Sequence, residues 1–323
     1  MSAHPPHRPV LLERVTELLV EAPDGPIVDA TIGAGGHAHA LLAARLARFG
    51  RAHLLGLDRD PDALALAGER LAEFAADPRV ELALVRTRFD ALGSVLDDAA
   101  VTQVSGVLLD LGISSMHVDR PERGFSFRAD GPLDMRMDPA LPTTAADLVA
   151  DLGEVELARL LQRYGEEPHA RRIARAVVAA RPVSTTAALA EVVRDAVPAA
   201  ARRRSGHHPA TRTFQALRIA VNGELEALEA VVPVVLERLA PGGIAVVLAY
   251  HSLEDRIVKR AFAAAAATCT CPPGLPVCAC GTTPLVEHVV RRPERAGPEE
   301  LAHNPRASAA RLRAVRRIVE ERP

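Results

Sequence analysis

Lysine and aromatic residues are scarce in this sequence. Lys259 is the only lysine, Tyr164 and Tyr250 are the only tyrosines, and there is no tryptophan. A Tyr-x-x-x-Lys pair is therefore missing, which argues against an NAD-dependent oxidoreductase. No apolar run reaches the length of a membrane span, and the longest, residues 243–250, suits a buried strand. Met1–Pro9 hold histidine and proline rather than a basic stretch followed by an apolar run, so no secretory leader is expected. No G-x-S-x-G marks a hydrolase nucleophile, and there is no internal repeat or long low-complexity linker. These absences point to a soluble cytoplasmic protein. In that compartment the four cysteines should be reduced or metal-bound rather than disulfide-bonded. They fall as Cys269-Thr270-Cys271 and Cys278-Ala279-Cys280. Four thiolates suit zinc, but the usual spacing is Cys-x-x-Cys, and the sequence assigns no metal to them.

What is present suffices for one large domain or two medium ones. The chain has 323 residues, 48% of them hydrophobic, with a formal net charge of −2. Residues 26–32, PIVDATI, read as a strand, the glycines at 33, 35 and 36 as a loop, and HAHALLAARLARF as a helix. A second strand at 52–58 precedes a helix opened by Pro61, and further strands are expected at 80–85 and 104–112. Strands alternating with helices predict a parallel sheet covered on both faces. After Asp110 the pattern stops. Residues 119–139 are polar and glycine-rich, 143–218 read as several helices, and a buried strand returns within 239–252. A helical domain at 118–213, inserted between sheet-forming parts 1–117 and 214–323, is expected. Charge divides unevenly: ten arginines face sixteen acids in 1–115, but ten face only two in 168–218. A basic face on the insert is the footprint of a polyanion, with a solvated helical surface as the simpler alternative.

The glycines after the first strand let backbone approach a ligand closely, and Asp58 ends the second strand where an acid can hold both hydroxyls of a ribose. Together they describe an adenosine site, although Gly33-Ala34-Gly35-Gly36-His37-Ala38 also fits the dinucleotide fingerprint G-x-G-x-x-A. Asp110 ends the fourth strand beside the topological switch point, where it can hold a cofactor amine or accept a proton from a target amine. Phe89 follows the third strand and can stack on adenine or simply pack in the core. His251 and Ser252 end the strand after the insert and can face the same crevice. Methylation at carbon 5 of a pyrimidine would need a cysteine nucleophile, and none stands near Asp110 in the sequence, which favours a heteroatom acceptor.

At this point the chain resembles the bacterial 16S rRNA cytosine-N4 methyltransferase family of the MraW type. The resemblance runs from His7-Arg8-Pro9-Val10-Leu11-Leu12 through DATIGAGGH at 29–37, LLDLGISS at 108–115, ERGFSFRADGPLDMRMDP at 122–139, YGEE at 164–167, HPATRTFQALRIAVN at 208–222 and HSLEDRIVK at 251–259 to NPRASAARLR at 304–313. Segment 122–139 is its most specific part. The resemblance implies an α/β fold, a Rossmann-like class I methyltransferase sheet with an inserted helical domain that recognises RNA. It implies S-adenosyl-L-methionine as cofactor, contacted by Gly35, Gly36, His37, Asp58, Phe89, Asp110 and His117. Glutamine is expected in relatives at 117, and phenylalanine is common at 250. The implied partner is 16S rRNA or the small ribosomal subunit, with a homodimer as an open alternative and no membrane. The implied reaction is methylation of the exocyclic N4 of a cytidine in the decoding region. Asp110 is the first candidate for holding the amine, with Ser114 or Ser115 assisting and His251 and Ser252 next. The arginines of the insert and a basic tail, Arg306 to Arg317, would grip phosphates. The rival from another class is an RNA-binding assembly factor without catalysis.

Overall fold

The computed structural model describes residues 8–204, 206, 208–269, 271 and 280–319. The chain divides into two compact units, Met1–Gly112 with Glu226–Pro323, and Ile113–Leu225.

The first unit is built on a seven-stranded sheet of β1 (Ile27–Asp29), β2 (Ala52–Asp58), β3 (Val80–Arg86), β4 (Val104–Asp110), β5 (Leu239–Ala249), β6 (Val286–His288) and β7 (Arg311–Arg317). Their order is β3-β2-β1-β4-β5-β7-β6. The first five run parallel, and β7 runs antiparallel to both of its neighbours. This is the Rossmann-like sheet expected of the sequence, with strands ordered outward from a switch point between β1 and β4. Both faces are covered. Leu108 belongs to one apolar cluster with Leu18, Leu41 and Leu312, whereas its chain neighbours Val107 and Leu109 belong to another with Val231 and Phe262. Alternation of side chains across a strand thus feeds two cores, which is why β4 reads as a continuous apolar run.

β7 corrects the expected basic tail. RLRAVRR is not a tail but a strand: Leu312 and Ala314 are buried in the core, and Arg311, Arg313 and Arg316 on the same strand have acidic partners. Arg311 and Arg313 both pair with Asp255, at 3.2 and 2.7 Å, and Arg316 pairs with Glu21 at 3.0 Å. Each of these three arginines thus already has an acidic partner. Among the described residues, no helix is long and apolar enough to cross a membrane.

The second unit is helical and begins and ends outside the expected limits of 118–213. The reason is packing. Ile113 rests on this unit's core, and the helix Thr211–Asn222 buries Phe214, Ala216 and Leu217 in it, beside Leu161, Ile173 and Leu189. Segment 122–139 shows no period because hydrogen bonds, more than a repeating apolar face, hold it. Arg123 donates to the carbonyls of Arg136 and Met137 at 3.0 and 2.9 Å, and Arg136 grips Asp134 through two nitrogens at 2.9 and 2.7 Å. The buried Asn222 amide accepts from Met137 N at 2.9 Å and donates to Met135 O at 2.8 Å. Backbone closes so tightly that a Cβ on Gly124 would stand 2.3 Å from Pro132 O. The segment's unusual composition is thus an internal frame that carries Leu133, Met135 and Met137 into the helical core.

Candidate active site

Parallel strands deliver their last residues to one edge of the sheet, so Asp29, Asp58 and Asp110 all stand at carboxyl ends in the first unit, on β1, β2 and β4. β1 lies between the other two strands.

The Asp58 carboxylate is anchored on both oxygens. Gly33 N donates to Oδ2 and Asp60 N to Oδ1, each at 2.9 Å. The glycine loop is thereby tied to the end of β2. Gly35 caps the helix Gly36–Phe49 with φ of 75°, a left-handed conformation that disfavours any side chain. The loop is also packed from behind: a Cβ on Gly36 would meet Pro9 Cγ at 2.4 Å.

His37 follows this loop and is only 5% exposed. Neither ring nitrogen has a hydrogen-bond partner, although Nε2 lies 3.6 Å from Asp110 Oδ2. A buried imidazole with nothing to bond calls for a polar partner from outside the chain. The Asp110 backbone N–H donates to the Thr31 hydroxyl at 2.7 Å, and Asp110 Oδ1 accepts from the Tyr250 hydroxyl, also at 2.7 Å. Burial and the adjacent Asp110 charge push the Tyr250 phenol well above its ordinary pKa. Tyr250 therefore keeps its proton and is a fixed hydrogen-bond donor to Asp110, not a base. Asp29 is fully buried, and desolvation pushes its carboxyl up to about 7, with His37 opposing the shift and Asp110 and Asp58 adding to it.

Tyr250 is held by the turn that follows β5. Its backbone N–H donates to Glu254 Oε2 at 2.8 Å. His251 caps the helix Ser252–Ala265 through a reciprocal capping box with Glu254. His251 Nδ1 accepts from Glu254 N at 3.4 Å, and Nε2 lies 3.2 Å from Glu254 Oε1, off the line of a hydrogen bond. These contacts place His251 at the turn beside Tyr250, and Ser252 opens the helix that it caps. Phe89 begins a short 3-10 turn after β3, where it is half-buried against Leu92 and its apolar neighbours.

Ser114 and His117 belong to the second unit. Ser114 caps the short helix Ser115–Asp119 by accepting from Met116 N at 3.3 Å. His117 is buried, and its ring stacks on Phe125 with centroids 4.8 Å apart.

The sequence model of the MraW methylase family matches residues 4–318. The chain belongs to that family, and it is accordingly a methyltransferase. Ribosomal RNA small subunit methyltransferase H of Mycobacterium sp. (strain KMS) is 53% identical over 320 residues, covering 97% of this chain and 84% of that protein. The protein of the same name from Heliobacterium modesticaldum is 49% identical over 316 residues, covering 97% and 98%. Among solved structures, an rRNA methylase from Streptococcus thermophilus overlaps 95% of this chain and 94% of its own with a TM-score of 0.38 and 11% identity.

Three features of this MraW-family site escape sequence reasoning: Asp29, the Tyr250 contact and Glu254. Asp29 had a readable position, at the end of a strand just ahead of a glycine loop. The hydrogen bond from Tyr250 had none, because it joins residues 140 positions apart.

Proposed function

We propose that this protein transfers a methyl group from S-adenosyl-L-methionine to the exocyclic N4 of a cytidine in the decoding region of 16S rRNA. The observation that carries the reading is identity of about half, over nearly the whole chain, to relatives named ribosomal RNA small subunit methyltransferase H. The three acids around the switch point support it.

The residues fit the cofactor. Asp58, with its oxygens already oriented by the loop, would hold the ribose hydroxyls. The orphaned ring of His37 and the close-packed backbone at Gly35 and Gly36 complete the cradle, with Phe89 at its adenine side. The cofactor supplies a methyl made electrophilic by its sulfonium.

Cytosine N4 is a poor nucleophile because its lone pair is delocalised into the ring. Catalysis must come largely from orientation and from removal of a proton. Asp110 is the group for both. Tyr250 occupies its Oδ1, which leaves Oδ2 to accept an amine N–H. Tyr250, held protonated, fixes the carboxylate and cannot compete for the amine proton. His251, with Glu254, sets the turn that carries Tyr250. The target base must leave its stack to reach such a site. A cytoplasmic location follows from that substrate, and a homodimer is read directly by sedimentation.

Mass analysis of small-subunit rRNA from cells lacking the protein, and from the same cells regaining it, tests the reading. The expected result is one cytidine that loses and regains a methyl on N4. An unchanged rRNA would overturn it, and binding of S-adenosylmethionine without methyl turnover would instead support the non-catalytic assembly factor.

A further inference from the structure

The four cysteines take no part in the chemistry above, and three of them are described. Cys269, Cys271 and Cys280 lie between the helix Ser252–Ala265 and β6, and their sulfurs all stand within 4.8 Å of one another. Cys278 lies outside the described residues. We propose that Cys269, Cys271 and Cys280 bind a zinc ion that staples this connection.

Distance argues for a metal over a disulfide. Cys269 Sγ and Cys280 Sγ are 3.8 Å apart. A disulfide requires about 2.05 Å. Two thiolates on one tetrahedral zinc, each about 2.3 Å from it, are separated by about 3.8 Å. The polar surroundings agree. Cys271 N donates to Cys269 Sγ at 3.4 Å, and the Thr282 hydroxyl donates to Cys280 Sγ at 3.2 Å. Donors aimed at sulfur stabilise thiolate over thiol and orient metal ligands. Soft sulfur donors in this number select zinc over magnesium or calcium.

The connection also needs a staple. Its ends are joined by Leu285 N donating to Ala265 O at 2.7 Å. Between Phe262 and Val286 no described hydrophobic residue is buried, so burial alone does not anchor the described part of the loop. A metal supplies the ordering energy that burial does not. Binding exchanges three S–H bonds for three S–Zn bonds and releases three protons to solvent. The fourth tetrahedral position is completed by water or by another side chain.

The test uses full-length protein purified under reducing conditions from zinc-containing medium and desalted. Elemental analysis should find about one zinc per chain, released when a mercurial blocks the thiols. Cobalt(II) exchanged into the wild-type protein should give thiolate-to-metal charge-transfer absorption. Cys269→Ser and Cys280→Ser should each lose the zinc while S-adenosylmethionine affinity stays unchanged, and Thr282→Ala should weaken zinc binding about tenfold. Less than about a tenth of a zinc per chain together with no charge-transfer band would overturn the proposal. So would full zinc content in both serine variants. The cobalt titration needs no variant, so a serine variant that fails to fold does not decide the matter.

Discussion

The Tyr250 hydroxyl donates to Asp110 Oδ1 at 2.7 Å, linking the ends of two adjacent parallel strands, β5 and β4. The contact is tight on its far side too, since a Cβ on Gly112 would stand 3.0 Å from Tyr250 Cδ2. Gly112 has φ of 96° and leaves room for the ring. One carboxylate oxygen is thus committed within the protein before any substrate arrives, and the other is oriented by that commitment.

Tyr250→Phe keeps the packing and deletes the donor. Turnover should fall by about 1–2 kcal/mol of transition-state stabilisation, roughly five- to thirtyfold, with S-adenosylmethionine affinity unchanged. Asp110→Asn should cost more turnover than affinity. Single-turnover kinetics beside calorimetry separate the two quantities. A phenylalanine variant with wild-type turnover would reduce the bond to a packing detail.

Asp58 has two duties, so its replacements should separate. Asp58→Ala removes the acceptor for Gly33 N and Asp60 N as well as the expected ribose ligand. Cofactor affinity should fall by about 1–3 kcal/mol, and the thermal midpoint should drop as the loop loses its anchor. Asp58→Asn retains one acceptor oxygen and should recover most of the midpoint and little of the affinity. Calorimetry showing equal affinity in wild type and both variants would remove Asp58 from the cofactor site.

Burial of Asp29 makes stability depend on pH. Its carboxyl is pushed from the ordinary 3.8 up to about 7. Between those values the folded protein binds more protons than the unfolded chain, so this group lowers stability as pH rises through that window. The full span corresponds to a cost on the order of 4 kcal/mol, reached above pH 7. The groups facing it are His37, Asp110 and Asp58. Asp29→Asn keeps the acceptor for Thr31 N and removes the titration. Urea unfolding should show the variant gaining on wild type between pH 5 and pH 8. Parallel stability curves for the two proteins would show that Asp29 does not titrate there.

Much of this was legible before any coordinates. Strand-glycine-helix alternation placed Asp58 and Asp110 at carboxyl ends because the period of a buried strand and the turn that ends it are local properties. β7 was misread because RLRAVRR shows its arginines plainly, while the partners that neutralise them, Asp255 and Glu21, are far away in the chain. Nor did the sequence show that His251 caps the following helix in a reciprocal box with Glu254, since histidine is not a usual capping residue. Segment 122–139 showed no period because its order comes from Arg123, Arg136 and Asn222 bonding to backbone, which no periodicity reports.

Partner counting also narrows the RNA-binding surface. The ten arginines of 168–218 are not equally available. Arg181 donates to Val149 O, Arg212 to Glu166 O, Arg194 pairs with Glu191 and Asp195, and Arg218 is paired with Glu224 at 2.7 Å. Arg175 lies 3.3 Å from Glu154, and Arg202 feels Asp195. Among the described residues, Arg171, Arg172 and Arg203 are exposed with no acid partner, and they are the ones that can release counterions from phosphate. Arg171→Ala with Arg172→Ala and Arg203→Ala should raise the KM for ribosomal particles several-fold and flatten its salt dependence, with affinity for S-adenosylmethionine unchanged. Replacing Arg311 and Arg313 instead should lower the thermal midpoint and leave the salt slope alone, because those two already neutralise Asp255 on a strand of the sheet. If the first set leaves both KM and salt slope untouched while the second flattens the slope, the phosphate grip lies on β7 and the insert's arginines only solubilise its helices.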